Sequence, residues 1–165
     1  MKYIDFKDIR EYLKDIQRLD KIGYGFHCED QWYQDRYQDN LCGVAIFEAD
    51  TMIAYAIVCG IKKPFYDALR NGVLTGDINV SKDMYTSLDS PYIYLASTVV
   101  IPEERGKGYC AEMTRRLMDN YYTPDKHMIV LACKETEGIL KCLGFSINRH
   151  ALQEEKYLIL EKNKA

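Results

Sequence analysis

The sequence predicts a mixed α/β domain in which helices cover the faces of one central sheet. Three observations support this prediction. Short apolar runs rich in β-branched and aromatic residues alternate with segments whose apolar residues recur at helical spacing. One run, residues 92–101, is apolar enough for a buried central strand. A glycine-containing turn and a helical pattern follow that run directly, as in folds that pack helices on a sheet.

Length and charge narrow the class of protein. The chain has 165 residues, 47% of them hydrophobic, which suits one domain with one core. Its net charge of -3 gives no basis for binding a phosphate backbone, which needs clustered Lys and Arg. The sequence contains no run of about 18 apolar residues, so we expect no membrane span. The N-terminus lacks the apolar stretch of a signal peptide. We therefore expect a cytoplasmic protein without nucleic-acid or membrane partners.

The N-terminal third predicts a helix followed by a hairpin. Apolar residues recur at helical spacing between positions 6 and 19, and Gly23 follows as a stop. Residues 24–40 are polar and aromatic, which predicts either a second short helix or a loop. Residues 41–48 and 52–61 have the composition of strands, and the polar turn between them predicts a hairpin.

The segment 63–91 interrupts this pattern with prolines and glycines around one short predicted helix at 65–71. Connections of this length are usually functional or disordered. Its many apolar side chains argue against a solvated linker, so we expect it to pack on the domain.

The C-terminal part predicts alternating helices and strands after the buried run. Helical spacing follows the turn, and Gly144 closes the second helix. The predicted elements are a helix at 110–121, a strand at 128–133, a helix at 137–143, and strands at 145–148 and 157–160.

The six cysteines do not predict a metal site or a disulfide framework. None forms a C-x-x-C pair, and the chain has only three histidines as further ligands. A chain of this size without a secretion signal does not need disulfides. We therefore expect free, mostly buried thiols and no metal.

The turn after the buried strand carries the clearest chemistry. It contains Arg105, Gly106, Lys107 and Gly108, and a helix is predicted to start directly after it. Free backbone N–H groups and the positive dipole end make a helix start an anion site. Glycines let the backbone approach a phosphate without a side chain in the way. The pattern therefore predicts a pyrophosphate-binding turn.

Two better-known phosphate motifs do not fit this turn. The Walker pattern requires Lys and then Ser or Thr after its last glycine, whereas Tyr109 follows Gly108 here. The dinucleotide fingerprint places Ala111 at its third glycine position and lacks the acidic residue that should end a following strand. An unrelated nucleotide-binding domain is therefore the least favoured interpretation.

The motifs around this turn resemble those of the GNAT acetyltransferase superfamily. Its acyl-CoA signature, [QR]-x-x-G-x-[GA] after a strand ending V-x-P, corresponds to 100–102 and then Arg105-x-x-Gly108-x-Cys110. A second family element, an aromatic residue followed by x-x-Leu-Gly-Phe, corresponds to residues 140–145, about 35 residues downstream. The order of the predicted elements also matches the family over nearly the whole chain.

The resemblance implies a GNAT fold for residues 1–165 as a single domain. In that fold a mixed, mostly antiparallel sheet is splayed at the acyl-CoA site and flanked by helices. Backbone groups of Thr98, Val99 and Val100 would then contact the pantetheine arm of acetyl-CoA. The pyrophosphate would be held by backbone N–H groups of the turn, which belong to Arg105, Gly106, Lys107, Gly108, Tyr109 and Cys110.

The resemblance also implies an activity. The protein would move an acetyl group from acetyl-CoA to a primary amine of a small molecule or peptide, by direct attack of the amine on the thioester. The segment 63–91 would lie on the acceptor side of the splayed sheet. The oligomeric state stays open between a monomer and a homodimer.

The sequence departs from the family at its proton-transfer positions. The thiolate-protonating tyrosine corresponds to Leu140, and a strand carboxylate found in some members corresponds to Tyr94. Tyr94 and Ser97 are therefore the candidate catalytic residues, and Asp77 is a candidate for contact with the acceptor. Cys110 stands where glycine or alanine is usual, and a thiol at a helix start can have a lowered pKa.

Other titratable residues are expected at the surface, namely Glu48, His127, Glu135, Glu137 and His150. The missing acid and base also favour an alternative of a different class. That alternative is a GNAT-fold protein that binds acyl-CoA as a sensor or scaffold without efficient turnover.

Overall fold

The computed structural model describes residues 1–37, 40–74, 76–150 and 157–162, without the side chains of residues 149, 150 and 157. The strands are β1 (Lys2–Phe6), β2 (Leu41–Glu48), β3 (Thr51–Ile61), β4 (Tyr85–Thr86), β5 (Tyr92–Val100), β6 (His127–Cys133), β7 (Ser146–His150) and β8 (Tyr157–Lys162). The helices are α1 (Leu13–Tyr24), α2 (Asp30–Tyr37), α3 (Lys63–Arg70), α4 (Tyr109–Tyr121) and α5 (Glu137–Cys142). None of these helices is long and apolar enough to cross a membrane.

The described strands form one mixed sheet in the order β1-β2-β3-β5-β6-β8-β7, with the short β4 paired to the end of β3. The pair β5–β6 is parallel, and the other pairs are antiparallel. The predicted mixed, mostly antiparallel sheet is confirmed. The predicted hairpin is confirmed as β2–β3, and the second short helix as α2.

The prediction of one helix over residues 6–19 was wrong in part. The structure has β1 at Lys2–Phe6, a short 3-10 turn, and α1 only from Leu13. Phe6, Ile9, Leu13, Ile16 and Leu19 of these three elements face one core, so their spacing imitates a single helix. The pairing of β1 with β2 is a long-range contact that local periodicity does not reveal.

The end of α1 also differs from the prediction, because the helix continues through Gly23 and its C-cap is Gly25. A Cβ atom at Gly23 would lie 2.9 Å from Cγ1 of Val99. The glycine therefore allows α1 to pack closely on β5.

Helices cover both faces of the sheet and bury two apolar clusters. On one face α1, α2 and α3 pack over residues such as Tyr55 and Ile57 of β3. On the other face α4 and α5 pack over Val58 of β3 and Leu95 of β5. The two clusters give the strands apolar residues on both sides, which explains why β3 is buried along almost its whole length.

A β-bulge divides β5 into two parts. Leu95 pairs with Val58 and Ser97 with Ile57, which leaves Ala96 as the extra residue. The parallel pairing of β5 with β6 ends at Leu95 and Val130, although both strands continue beyond that point. A bulge increases the local twist and bends its strand. The two strands therefore separate from Ala96 onward.

The segment 63–91 is anchored to the domain at both ends. In α3, Tyr66 Oη donates to Glu161 Oε1 at 2.5 Å, and Arg70 Nε donates to the same oxygen at 2.9 Å. Glu161 lies on β8 and is 3% exposed. After α3 the chain returns through β4, where Thr86 pairs with Gly60 of β3. The predicted packing of this segment on the domain is confirmed for α3 and β4, whereas Val73 and Ile78 between them are exposed.

We predict that Gly60→Ala destabilises the protein by about 1–3 kcal/mol, the usual cost of overpacking. A Cβ atom at Gly60 would lie 2.0 Å from the backbone oxygen of Ser87, so β4 would have to move. Urea denaturation measures the free energy of unfolding. The matched control is Gly138→Ala on α5, where nothing lies within 4 Å of the added atom. Equal stability of the two variants would contradict the close approach.

Candidate active site

The separation of β5 from β6 opens a small cavity of about 110 Å³, here called the splay cavity. It is formed by residues 95–98 of β5, residues 130–133 of β6, Cys110 and Thr114 of α4, Leu140 of α5, and Tyr24 and Thr136. Thr98 Oγ1 is buried and has no hydrogen-bond partner among the described residues. A buried hydroxyl of this kind is usually satisfied by a partner, so this wall of the cavity suits a polar ligand.

The predicted anion-binding turn lies directly before α4. Gly106 and Gly108 have φ angles of 79° and 88°, a region that strongly favours glycine. The α-helical hydrogen-bond ladder starts with Glu112 N donating to Gly108 O at 3.0 Å. The N–H groups of Tyr109, Cys110 and Ala111 precede that ladder, and no side chain caps the helix. The turn therefore has the geometry of an anion site at the start of a 13-residue helix.

The two basic side chains of this turn are both exposed but differ in their contacts. Lys107 Nζ lies 2.7 Å from Glu104 Oε1, and Arg105 Nε donates to Val100 O at 3.2 Å. The lysine charge is thus partly neutralised, whereas the Arg105 guanidinium lies beside the open end of β5. The backbone N–H groups are therefore the main groups of this turn that could contact an anion.

The thiol of Cys110 does not have the lowered pKa that a helix start suggested. Burial in the splay cavity raises its pKa to about 11, and the nearby Cys133 thiol acts in the same direction. Desolvation of the thiolate outweighs the helix dipole at this position. Cys110 is therefore a protonated wall residue of the cavity.

A second and larger cavity of about 420 Å³ lies on the α1 face of the sheet, here called the tyrosine cavity. It is bounded by Asp20 and Tyr24 of α1, Tyr33 and Tyr37 of α2, Tyr55 of β3, Tyr94 and Ser97 of β5, and residues 76–78. Tyr24, Ala96, Ser97 and Leu131 line both cavities. The two spaces therefore adjoin each other at the bulge.

The bulge places Ser97 in the tyrosine cavity. Residues of an unbroken strand alternate between faces, so Ser97 would face away from Tyr94 without the extra residue. With Ala96 bulged, both side chains line the same cavity. The two predicted catalytic candidates are thus brought to one space by an irregularity of the backbone.

A chain of hydrogen bonds connects a buried carboxylate to the point where the cavities meet. Asp20 Oδ1 accepts from Tyr55 Oη, which lies 2.7 Å from Ser97 Oγ. Ser97 Oγ lies 2.9 Å from Tyr24 Oη. The chain Asp20–Tyr55–Ser97–Tyr24 can carry protons between the cavity wall and the splay cavity.

Burial raises the pKa of the Asp20 carboxyl, although hydrogen bonds from Tyr33 and Tyr55 act in the opposite direction. Tyr33 Oη donates to Asp20 Oδ2 at 2.5 Å. Tyr24 exposes 48% of its surface, but its hydroxyl points to Ser97, and desolvation there raises the pKa of the phenol. Asp20 is therefore a better proton acceptor than an exposed aspartate, and Tyr24 keeps its proton at neutral pH.

Asp77 forms a separate acidic group in the same cavity. Its Oδ2 accepts hydrogen bonds from Tyr37 Oη at 3.2 Å and from Tyr85 Oη at 3.4 Å. Burial raises the pKa of this carboxyl too. Asp77 belongs to the segment 63–91 and lines the tyrosine cavity, and its contact with an acceptor stays a prediction.

Leu140 and the titratable residues expected at the surface are not part of the hydrogen-bonded chain of Asp20, as far as their side chains are described. Leu140 is 2% exposed in the wall of the splay cavity, and its side chain carries no proton donor. His127 stacks on Tyr92 at the opposite end of β6. Glu48 and Glu135 are exposed, Glu137 pairs with Lys141 at 2.5 Å, and the side chain of His150 lies outside the described residues.

Reasoning from the sequence missed Asp20, Tyr24 and Tyr55. The signal for Asp20 was present, because an acid follows Ile16 by four residues on the apolar face of α1. Tyr24 follows Asp20 by a further four residues on that face. Tyr55 lies inside an apolar strand pattern, and only the packing of α1 over β3 shows its contact with Asp20. Among the described residues, no group of His, Cys, Asp or Glu is arranged to hold a metal ion.

We predict that Asp20→Asn becomes more stable relative to the wild-type protein as the pH rises above about 4. The raised pKa means that the folded state binds the Asp20 proton more tightly than the unfolded state, so ionisation of Asp20 reduces stability. The lost hydrogen bonds add an offset that does not depend on pH. Urea denaturation at several pH values measures this difference.

The control is Asp83→Asn, because a hydrogen bond from Ser81 lowers the pKa of Asp83. Relative to that variant the wild-type protein should gain stability as the pH rises. The same sign for both variants would contradict the assignment of a raised pKa to Asp20.

Comparison with known proteins shows what this architecture is. No protein-family model and no curated protein matches the sequence. The loading GNATL domain of CurA from Lyngbya majuscula aligns over 99% of this chain and 98% of its own, with a TM-score of 0.72 and 10% identity. The ribosomal-protein-S18-alanine N-acetyltransferase from Escherichia coli aligns over 99% and 96%, with a TM-score of 0.65 and 10% identity.

The PaiA N-acetyltransferase from Thermoplasma acidophilum, in complex with coenzyme A, aligns over 99% of both chains, with a TM-score of 0.59 and 11% identity. These likenesses extend over essentially the whole chain, although few residues are shared. The protein therefore has the fold of the GNAT acetyltransferase superfamily.

Proposed function

We propose that the protein is an acetyl-CoA-dependent N-acyltransferase that acetylates a primary amine. The observation that carries the proposal is the meeting of two cavities at the bulge of β5. The splay cavity leads towards the anion-binding turn, and the tyrosine cavity lies on the other side of Ser97 and Tyr24. A thioester and an amine that entered from these two sides would meet between them.

Coenzyme A would bind along the open part of β5 and the start of α4. Among the described residues, Thr98, Val99 and Val100 are not paired with β6, so their backbone groups would face the pantetheine arm, although Arg105 Nε already donates to Val100 O. The buried Thr98 hydroxyl offers a further polar group. The N–H groups from Arg105 to Cys110 would hold the pyrophosphate. The PaiA protein with the same fold was solved in complex with coenzyme A, which supports this placement.

The residues at the bulge would perform the proton transfers of direct acyl transfer. The neutral amine attacks the thioester carbon, the C–N bond forms, and the C–S bond breaks. Ser97 and Tyr55 would pass the amine proton to Asp20, which has a raised pKa. Tyr24 would donate its proton to the departing thiolate, and Asp20 would then return the amine proton to Tyr24 through Tyr55 and Ser97. Tyr24 thereby replaces the proton donor that Leu140 cannot supply.

Tyr94 and the segment 63–91 would shape the acceptor site. The Tyr94 ring packs against Phe65 of α3 at 5.5 Å between ring centroids, and Tyr94 lines the tyrosine cavity. Residues 76–78 close another side of that cavity. Tyr94 would position the acceptor, and Ser97 would contact the reacting groups.

We predict that Gly108→Glu abolishes coenzyme A binding, measured by calorimetry. The new side chain would project into open space at the turn and bring a negative charge next to the pyrophosphate. The matched control is Gly25→Glu, since Gly25 has a similar φ of 83° and equally open surroundings. Both variants carry the same backbone strain, so only the first should lose binding. Wild-type affinity in a folded Gly108→Glu protein would contradict the placement.

We predict that Tyr24→Phe lowers kcat for amine acetylation by about 10²- to 10⁴-fold, the usual contribution of a general acid. The ring and its packing are kept, and only the hydroxyl that contacts Ser97 is removed. Tyr94→Phe is the matched comparison, because it also removes one cavity hydroxyl, and we expect a loss of less than about threefold. A large loss in Tyr94→Phe with little loss in Tyr24→Phe would assign the acid to Tyr94 instead.

A second candidate function is a sensor or scaffold that binds acyl-CoA without efficient turnover. The buried Leu140 at the position of the family tyrosine favours it. A thioester-cleavage assay against a panel of amines separates the two functions. Coenzyme A binding without cleavage above the uncatalysed rate would favour the sensor.

A further inference from the structure

We propose that the acceptor carries a second cationic group that does not react, and that Asp77 binds this group. The substrate class is an aliphatic diamine or a similar amine with a distal cation. This inference rests on the proposed function for the reacting end of the molecule. Its geometric basis is the presence of two separate acidic groups in the tyrosine cavity.

The two carboxylates are held by different tyrosines. Asp20 is bonded to Tyr33 and Tyr55, and Tyr55 leads to Ser97 at the bulge. Asp77 is bonded to Tyr37 and Tyr85, which have no hydrogen bond to that chain among the described residues. One acidic group is therefore hydrogen-bonded to the chain at the bulge, and the other has its own tyrosine partners, although its charge adds to the rise that burial causes in the pKa of Asp20.

Neither carboxylate forms an ion pair with a described residue, although the nearby His27 acts against the rise that burial causes in the pKa of Asp20. The guanidinium of Arg36 lowers the pKa of Asp77, but its hydrogen bonds go to Val80 O at 2.6 Å and Trp32 O at 3.3 Å. Buried carboxylates are normally paired, so a ligand cation would complete this site.

The walls of the cavity suit the rest of such a ligand. Rings of Tyr37 and Tyr94 line it, and aromatic rings accept both methylene groups and cations. Its volume of about 420 Å³ falls within the usual range for small-molecule sites. An acceptor with a carboxylate in place of the distal cation would instead be repelled by Asp77.

The test compares three acceptors with the same four-carbon chain, namely 1,4-diaminobutane, butylamine and 4-aminobutyrate. With acetyl-CoA and the 165-residue chain, kcat/KM for the diamine should exceed that for butylamine by about 10- to 100-fold, the usual range for one charge-assisted contact. 4-Aminobutyrate should be the poorest acceptor. Equal values for the diamine and butylamine in the wild-type protein would overturn the proposal without any variant.

The Asp77→Asn variant tests whether Asp77 causes the preference for the diamine over butylamine. The variant should reduce the ratio of kcat/KM for the diamine to kcat/KM for butylamine to less than about threefold. Asp83→Asn is the matched control, because Asp83 is an exposed acid of the same segment, and it should keep the full preference. An unchanged preference in a folded Asp77→Asn protein would overturn the assignment.

A binding measurement separates this inference from the proposed function. Calorimetry of the same three compounds with coenzyme A-saturated protein reports on the cation site without chemistry. Tighter binding of the diamine together with no acetylation would support the site at Asp77 and contradict the acyltransferase. Acetylation of butylamine and diamine with equal kcat/KM would support the acyltransferase and contradict the site.

Discussion

The whole candidate site depends on the point where β5 leaves β6. One extra residue, Ala96, bends β5, and the parallel pairing ends at Leu95. The strand then keeps its hydrogen bonds to β3 on one side and exposes its other edge to the splay cavity. The same bulge turns Ser97 towards α1. A single backbone irregularity therefore both opens the space for a ligand and supplies a polar side chain to it.

The second constraint is the placement of charge in an apolar setting. Asp20 and Asp77 are carboxylates whose pKa is raised by burial, and tyrosine hydroxyls satisfy their oxygens. This arrangement keeps polar groups hydrogen-bonded at some loss of stability, because ionised carboxylates are poorly solvated there. Carboxylates with pKa values shifted by burial are typical of functional sites, where stability is lost in favour of activity.

Much of the fold could be predicted from the sequence, and the two strands that it missed have one cause. The boundaries of β2, β5 and α4 follow from local apolar patterns and from the glycines of the turn. β1 and β4 were missed because each is stabilised by pairing with a strand distant in the sequence. The candidate anion-binding turn could be located because strand, glycines and helix start are consecutive along the chain.

By itself the sequence determined the class of fold, the position of the turn before α4 and the absence of a proton donor at Leu140. These features depend on residue types at fixed spacing along one stretch of chain. Only the tertiary structure decided that Asp20, Tyr24, Tyr55 and Ser97 form one hydrogen-bonded chain. The physical reason is that their contacts join α1, β3 and β5, whose packing arises from burial of apolar surface and the close approach at Gly23 rather than from local pattern.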